Sequence, residues 1–323
     1  MQFTLEELRA AAERVHREMA PTPQFAWPLL GQRLGCEVWA KHENHTPTGA
    51  FKARGAITYI DWLKREHPDV PGIITATRGN HGQSQTRAAV AAGLEAVILV
   101  PHGNSVEKNR AMRGFGAELI EHGSDFDEAR VEAMRLSEER GLWPVPAFHK
   151  ELVRGVATYG LELFDAAGEL DTVYVPIGCG SGICGTTAAR DALGLGTEIV
   201  GVVASGAPGA KLSFEAGTVV ETNEARTFSD GVAVRVPVAE ALAIYGAGAR
   251  RIVAVDDADT AEAMRILWQD THNLVEGAGA LSLAALIREA EAMAGKRVGV
   301  IVSGGNIDQP IAAEVLAGGT PEV

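Results

Sequence analysis

Lys52 stands where a loop becomes a helix. The stretch Thr46-Pro-Thr-Gly-Ala-Phe-Lys-Ala-Arg-Gly-Ala-Ile57 leaves a Pro/Gly segment for a helical pattern, with the lysine at the junction. The first turn of a helix carries partial positive charge, which disfavours an ammonium there. With partial burial, that field favours the neutral amine, which can act as a nucleophile or a Schiff-base partner. A solvated surface lysine is the plainer alternative for this stretch taken alone.

Three glycine-rich loops offer partners for such an amine. Gly180-Ser-Gly-Ile-Cys-Gly185 fits G-x-G-x-x-G between an expected strand and an expected helix. A dinucleotide site also needs an acidic residue closing the next strand, to hold a ribose hydroxyl. That strand ends Val203-Ala-Ser-Gly206, with neither an acid nor an arginine. What remains is a loop whose N–H groups can approach a phosphate at a helix N-terminus, hence a small phosphate-bearing cofactor rather than NAD. A tight turn that needs glycine only for sterics is the alternative. In Thr77-Arg-Gly-Asn-His-Gly82, Asn80 offers a donor and an acceptor, and the loop N–H groups can hold a carboxylate; Asn80 as a simple N-cap is the rival. Ser303-Gly-Gly-Asn306 puts a hydroxyl at a strand end, or is merely a turn. Val275-Glu-Gly-Ala-Gly-Ala280 sets Glu276 at a helix start, where the dipole stabilises a carboxylate and a plain cap would suffice.

Positioning these residues falls to alternating strands and helices. Thr4 with Glu7 forms a capping-box pattern opening a helix that runs to about residue 19. Strands are expected over 37–41, 72–77, 96–100, 117–120, 172–177, 198–204, 251–255 and 297–302. Helices are expected over 52–66, from the 78–82 loop through 92, and over 107–115, 125–140, 152–167, 258–271 and 277–294. A proline-bearing segment, 142–148, interrupts the rhythm, and 206–217 reads as a loop with a short helix. Such alternation argues for parallel sheets covered on both faces, with ligands at the carboxyl ends of strands. The three loops fall there, after Thr77, Ile177 and Val302.

At 323 residues the chain suits one large α/β domain or two smaller ones. A net charge of −13 with no Lys/Arg block argues against a nucleic-acid partner. Cys36, Cys179 and Cys184 form an odd, sparse set without CxxC, which fits a reducing compartment and no disulfide framework. Cys179 and Cys184 have no histidine or further cysteine nearby to complete a metal site. The first 19 residues are amphipathic and charged, and the longest apolar runs are strand-sized. A cytoplasmic protein without a membrane partner is expected.

Phe51-Lys52-Ala-Arg-Gly-Ala56, Gly79-Asn-His-Gly82, the 178–182 loop, Glu276 with Gly277-Ala-Gly-Ala280, and Ser303-Gly-Gly-Asn306 occur in that order. The ordered set resembles the signature of the fold-type-II pyridoxal-phosphate enzymes, and within them the serine/threonine dehydratase group, over nearly the whole chain. The resemblance implies an α/β fold like that of the tryptophan synthase β chain. Two doubly wound domains are expected, the smaller (49–148) inserted into the larger (1–48 and 149–323). Closure between them would shield the product enamine from water. It also implies roles. Lys52 would form the Schiff base with pyridoxal 5′-phosphate and act as acid and base at the substrate Cα. Gly178, Gly180, Ser181 and Gly182, with Cys179 in the same loop, would hold the phosphate. Asn80 would bond the ring 3′-oxygen, Ser303 would face the pyridine nitrogen, Phe51 would lie against the ring, and Glu276 joins the cofactor-binding set. The loop of Thr77, Arg78, Gly79, Asn80 and His81 would bind the substrate carboxylate. A serine hydroxyl, unlike an aspartate, cannot enforce a protonated ring nitrogen; the weaker electron sink suits rapid loss of a β-hydroxyl, with the phosphate as proton donor. A homodimer is the expectation for the group.

Three departures from the group's pattern matter. The tetraglycine loop is here Gly-Cys-Gly-Ser, and the Ser181 hydroxyl can still serve a phosphate. Racemases of the group carry a serine before Gly-Asn-His; here it is Arg78, and a guanidinium is a poor proton shuttle, so elimination is predicted over racemisation. Arg78 can instead pair with a second carboxylate or stack on an aromatic substituent, which admits hydroxyaspartate-type and phenylserine-type substrates. No Asp or Glu lies between Glu198 and Glu215, so no divalent-cation site is expected after that strand. The last motif lies close to Val323, and no C-terminal effector domain is expected. His81 sides with dehydratases over the cysteine-synthase branch, by analogy. The prediction is therefore a pyridoxal-phosphate-dependent dehydratase, an ammonia-lyase that turns L-threonine or L-serine into a 2-oxo acid and ammonia. A phenylserine or threo-3-hydroxyaspartate dehydratase, a racemase, a β-replacement synthase and a non-catalytic binding module are its alternatives.

Overall fold

Short apolar runs rich in Val, Ile and Ala make the central strands, and glycines just beyond the strands that end at Ala76, Pro176 and Val302 turn the chain at the site. The computed structural model describes residues 2–322. The chain begins α1 (Leu5–His16), β1 (Gln24–Ala26), α2 (Pro28–Leu34), β2 (Glu37–His42), a 3-10 turn Glu43–His45 and α3 (Lys52–Glu66). A smaller α/β unit follows: β3 (Gly72–Ala76), α4 (Asn80–Ala91), β4 (Glu95–Val100), α5 (Val106–Gly114), β5 (Glu118–Glu121), α6 (Phe126–Arg140) and β6 (Trp143–Pro144). Next come α7 (Lys150–Ala167), β7 (Thr172–Pro176), α8 (Ser181–Ala192), β8 (Glu198–Ala204), α9 (Gly209–Ala216), a 3-10 turn Asp230–Val232 and α10 (Ala239–Gly248). The chain then runs through β9 (Arg251–Val255), α11 (Asp257–Thr271), α12 (Gly277–Arg288), α13 (Ala290–Met293), β10 (Arg297–Val302) and α14 (Gln309–Leu316).

Two sheets result, in the orders β1-β2-β10-β7-β8-β9 and β5-β4-β3-β6. All neighbours are parallel except β1, which runs antiparallel to β2. β10 comes last in sequence but lies between β2 and β7. That placement brings the loop after Val302 between the segment leading to Lys52 and the loop after β7. The central strands of the large sheet are covered on both faces, so they do not alternate apolar with polar; all five residues of β7 are buried. α7 and α8 cover one face through Leu161, Leu163 and Ile183, and α12 covers the other through Leu281, Leu283 and Leu286. Each such side chain contributes about 1.5–3 kcal/mol by burial.

The helix expected over 277–294 is two helices. The backbone leaves helical geometry at Glu289, whose carboxylate is held by Tyr174 (2.5 Å) and Arg251 (2.5 Å). The 142–148 segment contains the short strand β6, which pairs with β3.

Beneath α3 lies a buried ionic cluster. Arg54 is fully buried and donates to Glu43 (Nε, 2.7 Å) and to Glu162 (Nη1, 2.6 Å; Nη2, 2.8 Å). Lys41, also fully buried, donates to Glu162 at 2.5 Å. Glu43 and Glu162 lie on the large-sheet side, so Arg54 pins the first turn of α3 to it.

Candidate active site

The loop between β7 and α8 is built to receive an anion. Gly180 is the N-cap of α8, has φ +95° and leaves the cap without a side-chain hydrogen bond. A Cβ at Gly178 would fall 2.4 Å from the Gly231 carbonyl oxygen, so only glycine permits that approach. Among the described residues, the N–H groups of Gly178, Cys179, Gly180, Ser181 and Gly182 meet no acceptor. Five free donors at the positive end of a helix suit a phosphate.

Lys52 opens α3 on the facing side. Its approach is stitched to the loop after β10: the Phe51 N–H donates to the Ser303 carbonyl (3.0 Å), the Gly305 N–H donates to the Gly49 carbonyl (2.9 Å), and Ala50 bridges Gly304. The Lys52 ammonium lies 4.6 Å from the centroid of the Phe51 ring. That ring stands edge-on to Tyr159 at 6.2 Å, and the Tyr159 hydroxyl donates to the Gly182 carbonyl at 2.9 Å. The lysine and the anion loop are therefore braced against each other through two aromatic rings. Ser303 is buried, and its hydroxyl donates to the Ala278 carbonyl at 3.1 Å.

A polar cluster closes the third side. Asn80 Nδ2 donates to Glu276 Oε1 (2.7 Å), and Asn80 Oδ1 accepts from Asn306 Nδ2 (2.8 Å). Glu276 is the N-cap residue of α12, yet its side chain makes no capping bond, contrary to the plain cap read from sequence. It turns inward, into space kept open by Gly304, where a Cβ would fall 2.2 Å from Oε1. Its Oε2 is buried without a hydrogen-bond partner, 3.7 Å from the Lys108 ammonium. Burial pushes the Glu276 carboxyl up to about 7; Asp230 adds to the rise, while Lys108, the Asn80 bond and Lys52 oppose it. Desolvation thus outweighs the helix dipole expected to lower it.

Phe51, Lys52, Asn80, the five loop residues Gly178–Gly182, Glu276 and Ser303 all line one cleft of about 370 Å³, part of it open to solvent. Every residue expected to touch the cofactor is thus brought to one place. The other loop residues stand differently. The Thr77 hydroxyl accepts from the Gly79 N–H at 3.0 Å, which shapes its own loop. His81 Nε2 is buried and unpartnered, and burial, with Lys52 nearby, lowers the imidazole to about 3. Arg78 is exposed and makes no hydrogen bond or ion pair among the described residues. Sequence reasoning missed Gly231 and Val232, which also line the cleft, and the Lys108–Asp230 pair beside it. The Asp230-Gly231 dipeptide, a turn signal, was the available hint.

The family described as "Pyridoxal-phosphate dependent enzyme" matches residues 15–304. The L-threonine ammonia-lyase of Geobacter sulfurreducens is 35% identical over 303 residues, which is 93% of this chain and 75% of that protein. The L-threo-3-hydroxyaspartate ammonia-lyase of Saccharomyces cerevisiae is 29% identical over 309 residues, 95% of this chain and 94% of that protein. The structure of maize serine racemase superposes with a TM-score of 0.91 at 26% identity, covering 98% of each chain. Ammonia-lyases and a racemase thus share this fold, and the site has to distinguish them. The chain belongs to the pyridoxal-phosphate dependent enzymes.

Proposed function

We propose that this protein is an ammonia-lyase that uses pyridoxal phosphate to dehydrate a β-hydroxy-α-amino acid, L-threonine or L-serine, to a 2-oxo acid and ammonia. The observation that carries it is the convergence in one cleft of Lys52, the unpaired N–H groups of Gly178–Gly182 and the Ser303 hydroxyl. The donor set fits the cofactor: five N–H groups for a phosphate, an amine for an aldehyde and a neutral hydroxyl for a ring nitrogen. When bound, pyridoxal phosphate supplies a sink for negative charge at the substrate Cα. Lys52 takes the proton from that carbon. The N–H groups of Arg78, Asn80 and His81, which meet no acceptor among the described residues, hold the substrate carboxylate, and His81, neutral above about pH 3, adds an uncharged nitrogen beside Lys52. Loss of the β-hydroxyl leaves an enamine, which after release hydrolyses to the 2-oxo acid and ammonia.

Arg78 favours elimination over racemisation, since the position before Gly-Asn-His then holds no proton shuttle. Its free guanidinium on the rim of the loop also supports a second reading, a substrate bearing a second carboxylate, in line with the yeast relative. We further propose the domain division 1–48 with 149–323 and 49–148, with closure over the cleft, and a cytoplasmic homodimer.

The test is turnover of threonine, serine, threo-3-hydroxyaspartate and phenylserine, read as 2-oxo acid and ammonia. Wild-type protein should release both and show the visible absorbance of bound cofactor; Lys52→Ala should lose both signals. An Arg78→Ser protein with the wild-type substrate ranking removes the second reading.

A further inference from the structure

Lys108 belongs to none of the sequence motifs. It lies on α5, in the four-stranded unit, yet its Nζ donates to Asp230 Oδ2 at 2.5 Å and stands 3.7 Å from Glu276 Oε2, both on the other side of the cleft. The side chain is nearly fully buried. A lysine removed from water keeps its charge only where carboxylates compensate. Burial alone would lower its pKa, but Glu276 and Asp230 carry it above the ordinary lysine value. The stem runs behind the carboxylate loop: a Cβ at Gly79 would fall 2.4 Å from Lys108 Cδ. The head reaches the front of the same loop through Glu276, which accepts from Asn80. Two more ties leave the same helix. Ser105 Oγ donates to Asp308 Oδ1 (2.5 Å), and Glu107 Oε1 accepts from the Gln309 N–H (3.0 Å).

We propose that Lys108 is a positioning residue for substrate binding: by bridging from α5 to Asp230 and Glu276, it holds the Thr77–His81 loop in the shape that receives the substrate carboxylate. The proposal rests on the function given above. It makes loop geometry depend on approach of the two units, because the ammonium and its partners come from opposite sides. The charged groups facing the bridge are Asp230, Glu276, Lys52 and Asp308. Removing the ammonium takes away the main opposition to protonation of Glu276, so that carboxyl stays neutral to higher pH.

The experiment uses holoenzyme and L-alanine, which has the α-carboxylate and amine but no β-hydroxyl to lose. Its Kd is read from the change in cofactor absorbance. Lys108→Met keeps the stem behind Gly79 and removes the charge; Asp230→Asn breaks the bridge from the other end. Each should weaken alanine binding about tenfold, and the double variant should bind no more weakly than Lys108→Met alone. The pH dependence of alanine binding should move upward in Lys108→Met, because Glu276, which accepts from Asn80, then stays neutral to higher pH. A lysine that only supported the fold would lower the melting temperature and leave alanine affinity and the pH profile in place. Alanine affinity within about twofold of wild type in both single variants, or fully additive effects, overturns the proposal. If Lys108→Met does not fold, Asp230→Asn decides on the same threshold. Wild-type protein with neither cofactor absorbance nor 2-oxo acid release would instead overturn the functional reading, and this proposal with it.

Discussion

Glu276 turns its carboxyl away from the helix it begins, and that choice has a measurable cost. Its pKa in the fold, about 7, lies above the unfolded carboxyl value. A group shifted this way favours the folded state fully below the unfolded pKa, and that contribution is lost as pH rises through the folded one. The apoprotein should therefore lose stability on this account as pH rises from the acid range through neutrality. In Glu276→Gln that loss should vanish, so the melting temperature of the variant should gain on wild type as pH rises. An unchanged difference between pH 5 and pH 8 would contradict it. At this scale the sequence is legible where chemistry restricts residue type: Lys52, Asn80, the 178–182 loop and Ser303 stand out by type and spacing, and the fold brings them to one cleft. Glu276 is singled out from sequence for the cofactor-binding set, but its bond to Asn80 is not legible there, because the same residue at the same position also makes an ordinary cap. Lys108 was not legible. It sits among Glu107, Arg110 and Arg113, a run that reads as a solvated face, and its partner Asp230 is 122 residues away.

Among elements, the β7–α8 junction tolerates little change. Gly180 has φ +95°, and a Cβ there would fall 2.6 Å from the Ala241 Cβ. Gly180→Ala should cost about 1–3 kcal/mol, read as a lower melting temperature, and should weaken pyridoxal-phosphate binding, read by absorbance titration. Full retention of both would show that the loop relaxes without disturbing its N–H groups. The long strands and their following helices were readable because apolar runs bounded by glycine leave few alternatives. β1, α2, α10 and α14 were not read. β1 has three residues, and α10 carries the Ala/Gly-rich sequence Ala239-Glu-Ala-Leu-Ala-Ile-Tyr-Gly-Ala-Gly248, with little periodic signal. The break at Glu289 follows from partners on β7 and β9, which local sequence cannot reveal.

At the scale of the whole molecule, β1 leaves an apolar edge. Phe25 and Leu29 are each 51% exposed, and Trp268 and Leu274 lie exposed on the neighbouring α11 and the loop beyond it. The homodimer proposed above is expected to bury that surface. Light scattering should give twice the 34.0 kDa of one chain, and Phe25→Glu with Leu29→Glu should return a single chain. A monomeric wild type would refute the homodimer. The order of the two sheets could not be read from sequence, because nothing local says that the last strand inserts between β2 and β7. The ionic cluster beneath α3 has a consequence for descent. Lys41, Arg54, Glu43 and Glu162 balance two buried positive charges against two negative ones. Losing any one member strands an uncompensated charge, at about 3–5 kcal/mol, while exchanging the whole group for apolar side chains can be nearly neutral. No path of single tolerated steps joins those two states. The four positions under the reactive lysine are therefore expected to drift together or stay put.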